Sequence, residues 1–147
     1  MDSTRSFEIL LVEDSAADVR LMQEALKDSK IRTHVNVAKD GVEAMAFLQK
    51  QGERGGMSHP DLILLDLNLP KKSGGEVLEE IKADPVLKRI PVVIFTSSKA
   101  EKDVLHSYDF HANCYISKPV DLEQFMKVVR FIEEFWLVIA VLPGNDF

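Results

Sequence analysis

Cysteine is almost missing. Cys114 stands alone, which excludes an intramolecular disulfide and a thiolate metal cluster and leaves a small buried filler as its expected role. Long apolar runs are missing as well: the longest, Phe135 to Leu142, has eight residues, against the roughly 20 that a membrane-spanning helix needs. The N-terminus MDSTRSFEILLVED has no basic stretch leading into an apolar core, so no secretory signal is expected. There is no Lys/Arg cluster, and the net charge of −6 argues against a nucleic-acid backbone as partner. His34, His59, His106 and His111 contain no i, i+4 pair, so no zinc site of that pattern is formed. These absences describe a cytoplasmic protein that binds neither nucleic acid nor membrane.

What remains is a chain of 147 residues, 46% hydrophobic and 29% charged, enough for one domain with a sizeable core. Strand-like runs at Ile9–Val12, His34–Val37, Leu62–Leu65, Val92–Phe95 and Cys114–Ile116 alternate with helical patterns. The second run alternates polar and apolar residues, as a half-buried strand does. The others are apolar almost throughout, as strands covered by helices on both faces are. Helices are expected over Ser15–Asp28, Gly41–Lys50, Gly74–Asp84 and Glu101–Tyr108, with a fifth from Leu122, and a loop over Gly52–Pro60. Ser73 with Glu76, Ser98 with Glu101 and Asp121 with Gln124 have the spacing of capping boxes. Strict β-α alternation predicts a doubly wound parallel sheet.

The stretch DLILLDLNLPKKSGG, Asp61 to Gly75, sets a carboxylate, Asp66, at the end of a wholly aliphatic run. Ligands of open parallel sheets bind outside the carboxyl ends of the strands, and the other ends are equally telling. Glu13-Asp14 follows the first strand, Thr96-Ser97 the fourth, and Ser117-Lys118-Pro119 the fifth. Three converging carboxylates repel one another by about 3 kcal/mol per pair at roughly 5 Å and an effective dielectric near 20. A divalent cation relieves that repulsion, and hard oxygen donors without His or Cys suit Mg²⁺, with Mn²⁺ or Ca²⁺ as substitutes. Asp14 and Asp66 are its expected ligands, with Glu13 supporting it through water and Lys118 adding fixed positive charge. Singly, each residue has a simpler role: Asp14 as a helix cap, Thr96 as a strand former, Lys118 as a solvated lysine, Pro119 as a stop. On four strand ends at one edge, those simpler roles would all have to coincide.

Together, ED at 13–14, D at 66 followed by LNLPKKSGG, TS at 96–97 and KP at 118–119 resemble the receiver domain of two-component response regulators over about residues 7 to 135. The resemblance implies a flavodoxin-like five-stranded sheet of order 2-1-3-4-5 with five helices. It implies that Asp66 accepts a phosphoryl group from a histidine kinase, and that Glu13, Asp14, Asp66 and the backbone carbonyl of Asn68 hold Mg²⁺. Thr96, Ser97 and Lys118 would contact the phosphoryl oxygens, Tyr115 would move with Thr96 as a switch, and Lys118-Pro119 would be a cis peptide. Such a protein is a phosphoacceptor, not an enzyme acting on separate substrates.

An aspartate-nucleophile phosphatase would carry its nucleophile after the first strand, where this chain has EDSAAD. A flavodoxin-type electron carrier needs a phosphate loop that Glu13-Asp14 would repel. The ending IEEFWLVIAVLP, the Gly52–Pro60 loop and HANCYISKPVDLEQF are similar to single-domain regulators that partner bacterial phytochrome kinases. A regulator serving another histidine kinase is the alternative. The expected division is a receiver domain at 1–135 and an apolar extension at 136–147, with no effector domain. Phe135 at the end of the receiver and Trp136, Leu137 and Ile139 in the extension belong to a stretch that is apolar all round, so a homodimer covering them is expected.

Overall fold

The computed structural model describes residues 6–53, 59–96, 114–117 and 121–141. Strands β1 (Phe7–Val12), β2 (Thr33–Ala38), β3 (Leu62–Asp66), β4 (Val92–Thr96) and β5 (Cys114–Ser117) pair in parallel in the order β2-β1-β3-β4-β5. Between and after them lie helices α1 (Ala16–Lys27), α2 (Gly41–Glu53), α3 (Gly74–Ala83) and α4 (Leu122–Val141), with a 3-10 turn at Leu87–Arg89. This is a flavodoxin-like α/β arrangement around a parallel sheet. The helix expected over Glu101–Tyr108, and its cap at Ser98, lie outside the described residues.

Side chains alternate across each strand, and the alternation divides the core into two layers. Leu10, Val12, Ile63, Leu65, Val92 and Ile94 point to one face, where α2 and α3 cover them with Leu48, Val77, Leu78 and Ile81. Phe7, Ile9, Leu11, Leu64, Val93 and Phe95 point to the other, beneath Met22 and Leu26 of α1 and Phe125, Val129 and Ile132 of α4. Burial of each such side chain contributes about 1.5–3 kcal/mol. All five residues of β3 are buried, so its apolar run reflects a central strand with helices on both faces. β2 lies at the edge, where His34 is exposed and only Ala38 is fully buried.

Caps set the helix starts. Ser15 accepts a hydrogen bond from the backbone N–H of Asp18, Ser73 from that of Glu76, and Asp121 from that of Gln124. α2 extends through Glu53, so Gly52, expected in the following loop, is helical instead. One glycine near a helix end costs only about 1 kcal/mol and does not stop the backbone ladder. α4 packs through Phe125, whose ring lies 6.3 Å from that of Phe95. Glu133 ties the same helix to the turn after α1, accepting hydrogen bonds from Ser29 Oγ at 3.1 Å and Lys30 N at 2.5 Å. The α4 backbone continues to Val141, through the expected boundary at residue 135.

Candidate functional site

Parallel pairing puts every strand's carboxyl end on one edge. β1 and β3 run in register with Val12 opposite Leu65, so Glu13 follows at the level of Asp66. Carboxylate oxygens of Glu13, Asp14 and Asp66 lie within 4.8 Å of one another. Glu13 is 1% exposed and Asp66 2%, whereas Asp14 is exposed. Two carboxylates are thus held in the protein and one faces the solvent, the disposition of an open oxygen-donor site.

Glu13 and Asp66 are fixed by their backbone surroundings. The N–H of Glu13 donates to the carbonyl of Ala38 at 3.0 Å, and its Oε2 accepts from Ser15 N at 3.1 Å. Ser15, not Asp14, caps α1, so the simplest structural duty available to Asp14 is already filled. Asp66 Oδ1 accepts from Asn68 N at 3.0 Å, which folds the chain back over the strand end. The next turn is pinned twice, by Leu67 N to the Phe95 carbonyl at 3.0 Å and by Gly74 N to the Leu67 carbonyl at 3.1 Å. A Cβ on Gly74 would sit 2.3 Å from the carbonyl oxygen of Asp66. Only glycine lets α3 begin this close to the strand end.

The backbone of Thr96 pairs with Ser117, and Asp66 pairs with Phe95, so Thr96 stands one residue beyond Asp66's partner on the same edge. Tyr115 is opposite Ile94 on β5. The side chains of Thr96, Tyr115, Phe135, Trp136, Leu137 and Ile139 lie outside the described ones, as do Ser97, Lys118 and Pro119 entirely.

Sequence reasoning missed a further group, one that touches the turn following Asp66. Asp40, 6% exposed, caps α2 through Oδ1, which accepts from Glu43 N at 2.8 Å. Its Oδ2 lies 3.5 Å from Lys71 Nζ. The hydrogen bond from Glu43, and then the Lys71 ammonium, hold its carboxyl below the ordinary carboxylate range against the opposing effect of burial. A Cβ on Gly41 would meet the Lys72 carbonyl oxygen at 2.3 Å. The Asp-Gly pair before an apolar helix was the available signal for a capped, glycine-opened helix start.

Hard oxygen donors converging from β1 and β3 fit a divalent cation, and the chain is similar to proteins of known class. The family model for the response regulator receiver domain matches residues 9–130. The response regulator Rcp1 of Synechocystis is 57% identical over 136 residues, covering 92% of each chain. Among solved structures, the phosphorylated cyanobacterial phytochrome response regulator RcpA superposes with a TM-score of 0.76 at 56% identity, covering 95% of this chain and 100% of that one. The Mn²⁺-bound form of Rcp1 gives a TM-score of 0.74 at 56% identity, covering 93% and 99%.

Proposed function

We propose a function from one premise: this chain belongs to the response regulator receiver family. In our reading Asp66 is the phosphoacceptor of a two-component system, and its donor is a histidine kinase. The observation that carries the proposal is the convergence of Glu13, Asp14 and Asp66 within 4.8 Å at the end of a buried central strand. The fold brings three acidic side chains together there.

The chemistry asks little of the protein beyond placement and charge. A carboxylate oxygen of Asp66 attacks the phosphorus of a phosphohistidine. A P–O bond forms, the P–N bond breaks, and its electron pair returns to the imidazole. β3 fixes the attacking oxygen more firmly than a loop would, and Asn68 N steadies Asp66 Oδ1. Glu13, Asp14, Asp66 and the Asn68 carbonyl would hold Mg²⁺, or Mn²⁺ in its place, which supplies positive charge against the phosphoryl oxygens when bound. Thr96, Ser97 and Lys118 are proposed to meet those oxygens, with Tyr115 following Thr96 in the structural response.

The similarity to Rcp1 and RcpA supports a phytochrome as the kinase partner, acting in the cytoplasm. Among the described residues, no helix is long and apolar enough to cross a membrane. In this proposal residues 1–135 form the receiver and 136–147 the extension, and the apolar sequence at Phe135, Trp136, Leu137 and Ile139 meets a second copy. Light scattering at tens of micromolar is expected to give the mass of a homodimer; a monomer would end that part of the proposal.

The decisive experiment mixes the full chain with a phytochrome kinase, ATP and Mg²⁺ and follows intact mass. One phosphoryl adduct is expected, absent in Asp66→Ala. An adduct retained in that variant removes Asp66 as acceptor. Transfer from a small phosphodonor but not from the phytochrome kinase would redirect the partner and leave the site intact.

A further inference from the structure

We propose that Asp40 is a positioning residue for the metal site, acting through Lys71 on the turn that carries Asn68. The inference rests on the reading above, in which the Asn68 carbonyl joins Glu13, Asp14 and Asp66 around a divalent cation.

The turn between β3 and α3 is anchored at both ends and strained in the middle. Leu67 and Gly74 hold its ends to β4 and to each other, and Leu69 packs partly against the core beneath α2 and α3. Between these anchors Lys71 adopts φ 63°, the sole non-glycine residue among the described ones with positive φ. A residue with a Cβ enters this left-handed region only at a cost, and persists there when its surroundings require it. At this residue the turn meets the start of α2, an element distant in sequence.

Two contacts join the turn to α2 there. Lys71 reaches Asp40 Oδ2 at 3.5 Å, and the Lys72 carbonyl fills the space that a side chain on residue 41 would occupy, 2.3 Å from an ideal Cβ on Gly41. Asp40 is a firm anchor, because it is nearly buried and its other oxygen is committed to Glu43 N at 2.8 Å. Lys71 itself is 70% exposed, so the ion pair is a modest one, strengthened by a partner that is already immobile. Lys72 adds a second tie on the opposite side, donating to Glu80 Oε2 of α3. The turn is therefore clamped between α2 and α3, with Asn68 three residues upstream of Lys71.

The test measures Mn²⁺ binding to the full chain by electron paramagnetic resonance of the free ion, beside thermal melts. Asp40→Asn keeps a good helix cap but loses the charge that holds Lys71, and Mn²⁺ affinity is expected to weaken about three- to fivefold. Loss of a negative charge near the site would weaken binding too, so rescue separates the two causes. Adding Lys71→Gly to Asp40→Asn should restore affinity, because glycine takes φ 63° without help. Adding Lys71→Ala, which removes the same positive charge but keeps the Cβ, should not. Equal rescue by both, or unchanged affinity in Asp40→Asn, overturns the proposal, and so does a lowered melting temperature with Mn²⁺ affinity untouched. Asp14→Ala is the control: if it still binds Mn²⁺ like the wild type, the metal reading itself has failed, whatever Asp40 does.

Discussion

The two ends of the parallel sheet use acidic residues in different ways. At the amino end, Glu8 and His34 are register partners and meet at 2.8 Å between Oε2 and Nδ1. Beside them Asp61 Oδ2 accepts from Glu8 N at 2.8 Å, and Asp61 N donates to the Glu8 carbonyl at 2.7 Å. Each charge there meets a donor or a group of complementary character. At the carboxyl end, Glu13, Asp14 and Asp66 gather within 4.8 Å with one sign of charge. Acidic residues are thus structural at one edge and convergent at the other. Strand direction separates the two: all β strands bring their carboxyl ends, and the loops that follow them, to the same side.

Stability should break the symmetry between these ends most visibly. Asp61→Ala removes the acceptor for a partly buried backbone N–H and is expected to lower unfolding free energy by about 1–2 kcal/mol. Asp66→Asn keeps an acceptor for Asn68 N and takes one charge out of a repelling cluster, so stability should be unchanged or higher. Urea unfolding of the two variants beside the wild type decides this. Loss of stability in Asp66→Asn comparable to that in Asp61→Ala would mean that the carboxyl end is as structurally committed as the amino end.

A smaller effect should appear in acid, away from both ends. Asp84 accepts hydrogen bonds from Leu87 N at 3.0 Å and Val86 N at 2.8 Å. The Leu87 bond, then the Val86 bond, lowers its pKa below the ordinary 3.8. A carboxyl with a depressed folded-state pKa contributes stability above its unfolded value and loses it as pH falls through the folded one. Unfolding free energy should therefore decline as pH drops below about 4, the unfolded carboxylate value, and Asp84→Asn, which keeps an acceptor, should flatten that decline slightly. An identical pH profile in the variant would show that Asp84 does not contribute to the decline in this range.

Much of this organisation is local and therefore readable from the chain alone. Apolar runs bounded by turn residues marked β1, β3 and β4, because a strand buried on both faces needs apolar side chains at successive positions. Ser73 with Glu76 and Asp121 with Gln124 marked helix starts, because a capping side chain reaches only three residues along. Asp66 was legible for the same reason: a carboxylate directly after Leu62–Leu65 can only stand at the strand's end.

Contacts between distant segments were not legible. Nothing in the order of residues says that Glu133 accepts hydrogen bonds from Ser29 and Lys30, or that Asp40 meets Lys71. Whether Asp14 or Ser15 caps α1 also depended on the backbone, since both are good caps and the direction of the chain leaving β1 selects one. The sequence by itself determined the elements, the alternation that orders them, and the carboxylates at the strand ends. The tertiary structure decided how the β3–α3 turn is held beside those carboxylates. That hold comes from Asp40 at the start of α2, from Glu80 on α3 and from glycines whose missing Cβ admits a neighbouring backbone, and close approach in space leaves no periodic trace in a chain.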